Sequence, residues 1–141
     1  MARRRRWAVF ASRIVGATMM LSMCPSTGVV IGAEAKGKDA GIPPAAAKEG
    51  REIFDTRCSV CHGKEGKGDG PGASGLNPKP RNLTDSEWQK SVDDTYIEKI
   101  IQYGGIAVGK SAMMPSNPDL NAKPDVIKGI RAVVRELGHH K

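Results

Sequence analysis

The chain is poor in the residue types from which small proteins often build a core or a metal site. Its 141 residues include only six aromatic residues, three cysteines and three histidines. Three cysteines are too few for a framework of several disulfides. No stretch alternates apolar and polar residues over the length of a strand, and no segment repeats. The sequence therefore predicts an all-α chain that is short of apolar side chains for its own core.

The first 35 residues have the pattern of a secretory signal peptide. Residues 1–13 carry five arginines and no acidic residue, and residues 14–31 carry no charge at all. Ala33-Glu34-Ala35 then matches the small-residue A-x-A cleavage pattern. We therefore predict a signal peptide over residues 1–35, cleavage after Ala35 and export to the periplasm.

An uncleaved N-terminal segment is the alternative, and it would anchor the protein to the membrane, facing the periplasm. The uncharged run has 18 residues and is interrupted by Pro25-Ser26-Thr27. A membrane-spanning helix needs about 20 mostly apolar residues. The uncharged run is shorter than that and is interrupted, which favours a cleaved signal peptide. Membrane association is expected only if the segment stays uncleaved.

The N-terminal arginines also account for much of the chain's basic character. The whole sequence has a formal net charge of +7, whereas residues 36–141 hold 17 basic and 14 acidic residues, a net charge of +3. A targeting segment explains the arginine block without a polyanionic partner. We therefore predict that no nucleic acid binds this protein.

The exported part is predicted to be one helical domain at residues 45–141, preceded by a flexible lead-in at residues 36–44 that is rich in glycine, proline and charge. Its three main helices run from Ala45 to about Arg57, from Asp93 to Tyr103, and over roughly residues 124–137. The last has an apolar stripe at a 3.6-residue period. The stripe is Val126, Ile127, Ile130, Val133, Val134 and Leu137, and the opposite polar face is Lys128, Arg131, Arg135 and Glu136.

Long glycine- and proline-rich loops are predicted over residues 63–82 and 106–121. Between them, Thr84-Asp85-Ser86-Glu87 fits a capping box and predicts a short helix that carries Trp88. Gly104-Gly105 ends the second main helix. Helices joined so loosely look short of core, and a large flat apolar cofactor held between the loops would supply what is missing.

Cys58-Ser59-Val60-Cys61-His62 is the C-x-x-C-H pattern of covalent haem attachment. Two thiols add across the two vinyl groups on one edge of a porphyrin, and two intervening residues let the chain span that edge. The adjacent imidazole then lies under the iron. The motif predicts one haem c, attached through Cys58 and Cys61, with His62 as an iron ligand.

A cysteine pair has two other common uses. A redox disulfide of the thioredoxin kind calls for a βαβ setting, which the sequence lacks. A structural zinc site needs four ligands and usually a second ligand pair. The other histidines, His139 and His140, stand at the chain end and are predicted to be an exposed tail.

A second axial ligand is expected from a methionine. Outside the N-terminal segment the methionines are Met113 and Met114, which precede Pro115. A thioether is a soft donor that suits iron in electron carriers. Proline biases the preceding residue toward extended geometry, which suits a loop that presents a side chain. We therefore choose Met114 and expect Met113 to pack in the core.

The sequence resembles a bacterial, class I monohaem cytochrome c from about Gly50 to Leu137. Gly50 and Phe54 are similar to the Gly-x-x-x-aromatic helix that crosses the C-terminal helix in that family, although Val133 stands where an aromatic residue is common. Three further segments are similar to the family's loops. They are His62 to Pro71, Pro80 to Asp85, and Gly104-Gly105 with Ser111 to Pro115.

The resemblance implies an all-α cytochrome c fold, with three main helices and long loops around one covalent haem. It also implies a carbonyl that accepts a hydrogen bond from the His62 imidazole and orients it. A loop proline commonly supplies that carbonyl in the family. Pro80 is the candidate, with Pro71 and Pro78 as alternatives.

The implied function is single-electron transfer by iron cycling between Fe(II) and Fe(III), in a monomeric carrier that is not an enzyme. Its partners would be a redox protein donor and a redox protein acceptor. Four lysines on the loops could steer acidic partners or be ordinary solvated side chains; they are Lys64, Lys67, Lys79 and Lys110. The alternative is a membrane-anchored or tightly bound haem c subunit of a larger respiratory or oxidising enzyme complex. An open iron position, without Met114, would instead suit an enzyme or a sensor.

Overall fold

The computed structural model describes residues 41–139, which are helical and contain no β-strand. This confirms the all-α prediction for that part of the chain. The predicted signal peptide, most of the lead-in and His140 lie outside it. The helices are α1 (Pro44–Ile53), α2 (Ser59–His62), α3 (Ser86–Ser91), α4 (Asp94–Tyr103) and α5 (Pro124–Leu137), with a π-helical segment (Phe54–Cys58) between α1 and α2 and 3-10 turns at Pro71–Ala73, Ile106–Val108 and Pro118–Leu120.

Helical backbone continues through the cysteine motif, whereas the sequence predicted a helix ending near Arg57. The π-helical segment joins α1 to α2, and the helix ends at Gly63 with φ 80°. Two hydroxyls bond to carbonyls four residues earlier: Thr56 Oγ1 donates to Glu52 at 2.7 Å and Ser59 Oγ donates to Asp55 at 2.6 Å. Such side-chain bonds compete with the backbone ladder. A π-turn adds a residue, so the side chains beyond it rotate by about 100°.

The helices α1 and α5 cross with their backbones in contact. A Cβ atom on Gly50 would lie 2.6 Å from the carbonyl carbon of Gly129. A Cβ atom on Gly129 would lie 2.5 Å from the carbonyl oxygen of Ala46. The crossing at Gly50 confirms the prediction, while the matching role of Gly129 was not predicted. Each helix has a glycine where the other passes, so neither position accepts a larger residue without movement.

The apolar stripe of α5 forms the centre of the core. Five of its six predicted residues are buried, and Leu137 packs partly buried against them. Val133, which replaces a common aromatic residue, is itself buried among them. The buried cluster comprises Ile53, Phe54, Leu83, Ile97, Ile101, Leu120, Val126, Ile127, Ile130, Val133 and Val134.

Arg131 is buried, which corrects its prediction on the polar face of the last helix. Only 5% of the residue is exposed. Its guanidinium pairs with Asp94 of α4 and lies 3.1 Å from a carboxylate oxygen of Glu98. The neighbouring Arg135 contacts Asp94 at 2.8 Å and donates to the carbonyl of Val92, also at 2.8 Å. These arginines therefore fasten α5 to the start of α4.

The same contacts set the charge state of Asp94. Partial burial pushes the pKa of Asp94 upward, but the hydrogen bond from Arg135 and the charges of Arg131 and Arg135 outweigh it and lower that pKa. A carboxylate with a lowered pKa in the folded state stabilises the fold wherever it is ionised.

The short helix α3 begins one residue later than the capping box predicted. Asp85 is the N-cap, and its Oδ1 accepts from the backbone N–H groups of Glu87 at 3.0 Å and Trp88 at 3.2 Å. Thr84 was the predicted cap. It is engaged earlier in the turn, because Asn82 Oδ1 accepts from both its backbone N–H and its hydroxyl.

We expect Gly50→Ala to destabilise the fold by about 1–3 kcal/mol, the range for added atoms in a packed contact. The sign is the test, because alanine normally stabilises a helix by about 0.5–1 kcal/mol relative to glycine. Urea unfolding of the purified protein measures the difference. An unchanged or raised free energy of unfolding would contradict the backbone contact.

We expect Asp94→Asn to lower the free energy of unfolding by about 1–2 kcal/mol at pH 7, because Arg131 then loses one of its carboxylates while buried. The estimate is modest because the Asp94 side chain is 36% exposed. The stabilisation by Asp94 is fully present above the unfolded-chain pKa of about 3.9 and is lost as the pH falls through the lowered folded value.

Urea titrations at several pH values test this expectation. The difference between the Asp94→Asn variant and the wild type should close in acid. Glu52→Gln is the matched control, since its pair with Lys48 is highly exposed, and it should change stability by less than about 0.5 kcal/mol. Equal effects of the two variants would refute the role of Asp94.

Candidate functional site

A cavity of about 1280 Å³ lies between α2, α3, α4 and the loop that precedes α5. Protein pockets for small molecules commonly span about 300–1,000 Å³, so this one suits a large group. Its walls are mainly apolar, and several core side chains line it directly. These are Phe54, Leu83, Ile97, Ile101, Ile130 and Val134, joined by the partly buried Trp88, Tyr96 and Ile100.

The two cysteines of the motif lie on the wall of this cavity as free thiols. Burial raises the pKa of Cys58 to about 11, against the opposing charge of Arg57. That thiol is therefore neutral at pH 7 and compatible with an apolar ligand. Val60, between the cysteines, is 45% exposed, so the thiol edge of the cavity lies close to the protein surface.

The zinc alternative finds no ligand set in residues 41–139. That stretch contains no group of three or more histidine, cysteine, aspartate or glutamate side chains arranged to hold a metal ion. His139 is exposed next to the end of α5, as the sequence predicted. The thiol pair and His62 line the cavity instead.

His62 also lines the cavity, next to the thiols. Its Nδ1 lies 3.0 Å from the backbone carbonyl oxygen of Arg81, which can only accept, so Nδ1 carries the proton. The lone pair is then on Nε2, the form in which imidazole binds a metal. Burial lowers the pKa of His62, and the hydrogen bond to Arg81 offsets part of that effect. The imidazole is accordingly oriented and neutral at pH 7.

The orienting carbonyl belongs to Arg81, which corrects the prediction of Pro80. The Pro80 carbonyl instead faces the backbone of Gly68, where a Cβ atom would lie 2.4 Å from its oxygen. Gly68 N–H in turn donates to the carbonyl of His62 at 2.8 Å. The loop therefore passes the histidine one residue later than the resemblance implied. A backbone carbonyl does orient the imidazole, but a register difference of one residue cannot be seen in a sequence.

Met114 lies in the loop after α4, and its side chain lines the same cavity. Hydrogen bonds fasten the loop to the end of that helix and to Gly105 just beyond it. Gly105 N–H donates to the Met114 carbonyl at 2.9 Å. Asn117 uses its backbone N–H and its Nδ2, which reach the carbonyls of Gln102 at 2.9 Å and Ile101 at 2.7 Å. Asn117 was not singled out from the sequence, although Asn-Pro is a turn signal.

The two methionines differ in exposure. Met113 is 60% exposed, so the expectation that it packs in the core is wrong. Its neighbour Met114 is half-buried. A half-buried thioether in a fastened loop is the better placed donor of the two, because exposure leaves the other side chain free to move.

Gly104 joins α4 to the methionine loop. Its backbone has φ 78° and ψ 179°, a conformation that is essentially restricted to glycine. A Cβ atom there would lie 2.8 Å from both the carbonyl oxygen of Met114 and the amide nitrogen of Ser116. The position of Met114 therefore depends on glycine at this residue, for its conformation and for the close approach of the loop.

These side chains fit a haem. Two thiols and an imidazole line the cavity together with the thioethers of Met113 and Met114, which come from a different loop. Imidazole and thioether are the ligand pair that electron-transfer haem iron takes, and the apolar walls suit the macrocycle. The arrangement can attach a large flat cofactor covalently, ligate its metal from the chain and keep water away from it.

Comparison with known proteins agrees with this chemistry. The family model for cytochrome c matches residues 47–131. A curated relative, the cbb3-type cytochrome c oxidase subunit FixP of Azorhizobium caulinodans, is 36% identical over 94 residues. The match covers 66% of this chain and 28% of the relative. The chain therefore spans little more than a quarter of that relative's length.

We expect Gly104→Ala to lower the free energy of unfolding of the mature protein by about 3 kcal/mol or more, from backbone strain and the clash with Met114 together. Gly109→Ala is the matched control. Gly109 has φ 70° and ψ 28° with no atom within 4 Å of a Cβ, so only the left-handed backbone penalty of about 1–2 kcal/mol applies. Chemical unfolding of both variants compares them. Equal losses would refute the contact between Gly104 and the loop.

Proposed function

We propose a function on the basis of family membership: the chain belongs to the cytochrome c family. It is an all-α cytochrome c, carries covalently bound haem c with iron, and transfers electrons. Beyond that, we propose that it is an exported, periplasmic carrier with one haem. It exchanges single electrons with a redox protein donor and a redox protein acceptor and is not itself an enzyme.

In this proposal Cys58 and Cys61 would form the two thioether links to haem, and His62 and Met114 would bind its iron. One observation carries it: all four side chains line a single apolar cavity. The bound haem supplies one-electron chemistry, with iron alternating between Fe(II) and Fe(III).

The chain's own residues prepare that chemistry. The Arg81 carbonyl holds the His62 imidazole in its ligating tautomer. The hydrogen bonds of Asn117 hold the Met114 loop on the end of α4. With His62 and Met114 both bound to the iron, a substrate would have to displace one of these side chains. Apolar walls exclude water, and methionine ligation raises the reduction potential.

The domain boundaries form part of the proposal. Residues 1–35 are a signal peptide that is removed, residues 36–44 are a flexible lead-in, and residues 45–141 are the cytochrome c domain. No helix within residues 41–139 is long and apolar enough to cross a membrane. N-terminal sequencing of the protein recovered from the periplasm tests the cleavage site, and recovery with the membrane and an intact N-terminus would contradict it.

The mouth of the cavity is the proposed contact surface for redox partners. Lys79 and Lys110 line the cavity and are exposed, and Lys64 and Lys67 are exposed on the loop after His62. Positive charge from these lysines would steer acidic partners toward the mouth. Electron-transfer partners typically meet through interfaces below about 1,200 Å² in total, which keeps the encounter short.

A second function is favoured by the relative's name. That protein is a subunit of a cytochrome c oxidase, and the match covers only 28% of it. The chain would then serve as a haem c subunit held in a larger oxidising complex, with the same cavity and ligands. Affinity purification from the native host distinguishes the two. Stable co-purification with oxidase subunits supports the complex, and a monomer in solution supports the carrier.

We expect Met114→Ala to remove the weak long-wavelength absorption band that a sulfur–iron bond gives to a ferric haem, and to lower the reduction potential. Met113→Ala is the matched control and should keep both, because that side chain is largely exposed. Absorption spectra and a redox titration measure the two variants. Persistence of the band in Met114→Ala would reject Met114 as the ligand.

The covalent links are tested on the same samples. After acid denaturation, the wild-type chain should retain the mass of one haem and its Soret absorption. A chain made in a host that attaches haem, yet with the mass of its amino acids alone, would reject the proposed function altogether.

A further inference from the structure

An ion pair joins the two sides of the haem cavity at the surface. Arg57 is the residue before Cys58, in the π-helical segment, and its side chain lines the cavity. Its Nη1 donates to Oδ2 of Asp119 at 2.8 Å, across 62 residues of sequence. Asp119 belongs to the 3-10 turn that follows the Met114 loop. The pair thus links the segment that carries the thiols to the segment that carries the methionine.

Both partners are held in place before they pair. Arg57 stands on continuous helical backbone. Asp119 is flanked by Leu120, which is 1% exposed in the core, and the turn begins next to the fastened Asn117. Fixed backbones reduce the entropy that an exposed pair loses on forming. The planar guanidinium also needs less ordering per hydrogen bond than a lysine would.

The charges around the pair favour closure. The hydrogen bond from Arg57 is the main reason that the pKa of Asp119 lies below its usual range, and Lys123 adds a smaller attraction. Lys123 itself pairs with Glu49 at 2.7 Å. Asp119 is therefore ionised at neutral pH and faces Arg57 as its main cationic partner.

We propose that the Arg57–Asp119 pair is a latch that holds the Met114 loop closed over the cavity and so limits how fast small ligands displace that methionine. The proposal rests on the proposed function, since it takes Met114 as the distal ligand. Displacement requires the loop to open, and opening separates the two charges. The pair therefore acts as a positioning contact, which touches neither the methionine sulfur nor the iron.

The test measures how fast imidazole binds to the ferric holoprotein. For Asp119→Asn we expect binding about two- to fivefold faster than in the wild type, the range that exposed ion pairs give. Hydrogen exchange at the Asn117 amide should accelerate by a similar factor. In the wild type, raising the ionic strength to about 1 M, where the Debye length is about 3 Å, should produce much of the same acceleration.

Glu49→Gln is the matched control. It removes the pair between Glu49 and Lys123. The two pairs are similarly exposed: the Lys123 and Glu49 side chains are 50% and 41% exposed, and those of Arg57 and Asp119 are 49% and 52% exposed. That pair lies between α1 and the start of α5, so imidazole binding should keep its wild-type rate. Both variants should have nearly the same free energy of unfolding, which separates a latch from general stabilisation. A charge-swapped variant, Arg57→Asp with Asp119→Arg, should return the rate toward the wild-type value.

The outcomes separate failure of the latch from failure of the proposed function. If the wild type shows the sulfur–iron band and Asp119→Asn binds imidazole at the wild-type rate, the latch is refuted and Met114 stands as the ligand. If the wild type lacks the band and binds imidazole as fast as Met114→Ala, the ligand assignment fails and the latch fails with it. Faster binding in both Asp119→Asn and Glu49→Gln would also overturn the proposal.

Discussion

The backbone contact between Gly50 and Gly129 is the constraint on which the other positions depend. It fixes α1 against α5. Because helical backbone continues from α1 to His62, the contact also fixes the positions of the two cysteines and of His62. On the other side, Arg131 and Arg135 of α5 hold the start of α4 through Asp94. The end of α4 carries the methionine loop. The positions of both sides of the cavity thus depend on the crossing of α1 and α5.

The two proposed axial ligands are supported in different ways. His62 belongs to a helix, and two glycine amides of the following loop donate to the carbonyls of Cys61 and His62. Met114 belongs to a loop of irregular backbone that is fastened mainly at one end of α4. Loops fastened at few points open more readily than helices. The proposed ligation would therefore be asymmetric, with an imidazole on a helix and a thioether on a loop that is held by a few hydrogen bonds.

Much of this was predictable from the sequence, and the exceptions have physical reasons. Periodicity marked α4 and α5, and the cysteine motif marked the cavity wall, because those signals are local. The burial of Arg131 was missed, since its partner Asp94 is 37 residues away and an arginine normally marks a solvated face. Arg81 was missed in favour of its neighbour, because the backbone register of a loop follows from contacts such as that between Gly68 and Pro80.

In the π-helical segment, the backbone conformation that places the thiols for the cofactor is less regular than an α-helix. Removing one residue between Phe54 and Cys58 would give a more regular helix with a complete backbone ladder, yet it would turn both thiols about 100° away from the apolar walls. This stretch therefore tolerates changes of side chain on its exposed side, such as at Asp55, far better than any change of length. Selection should therefore act more strongly against insertions and deletions in this segment than against substitutions, although much of the segment faces solvent.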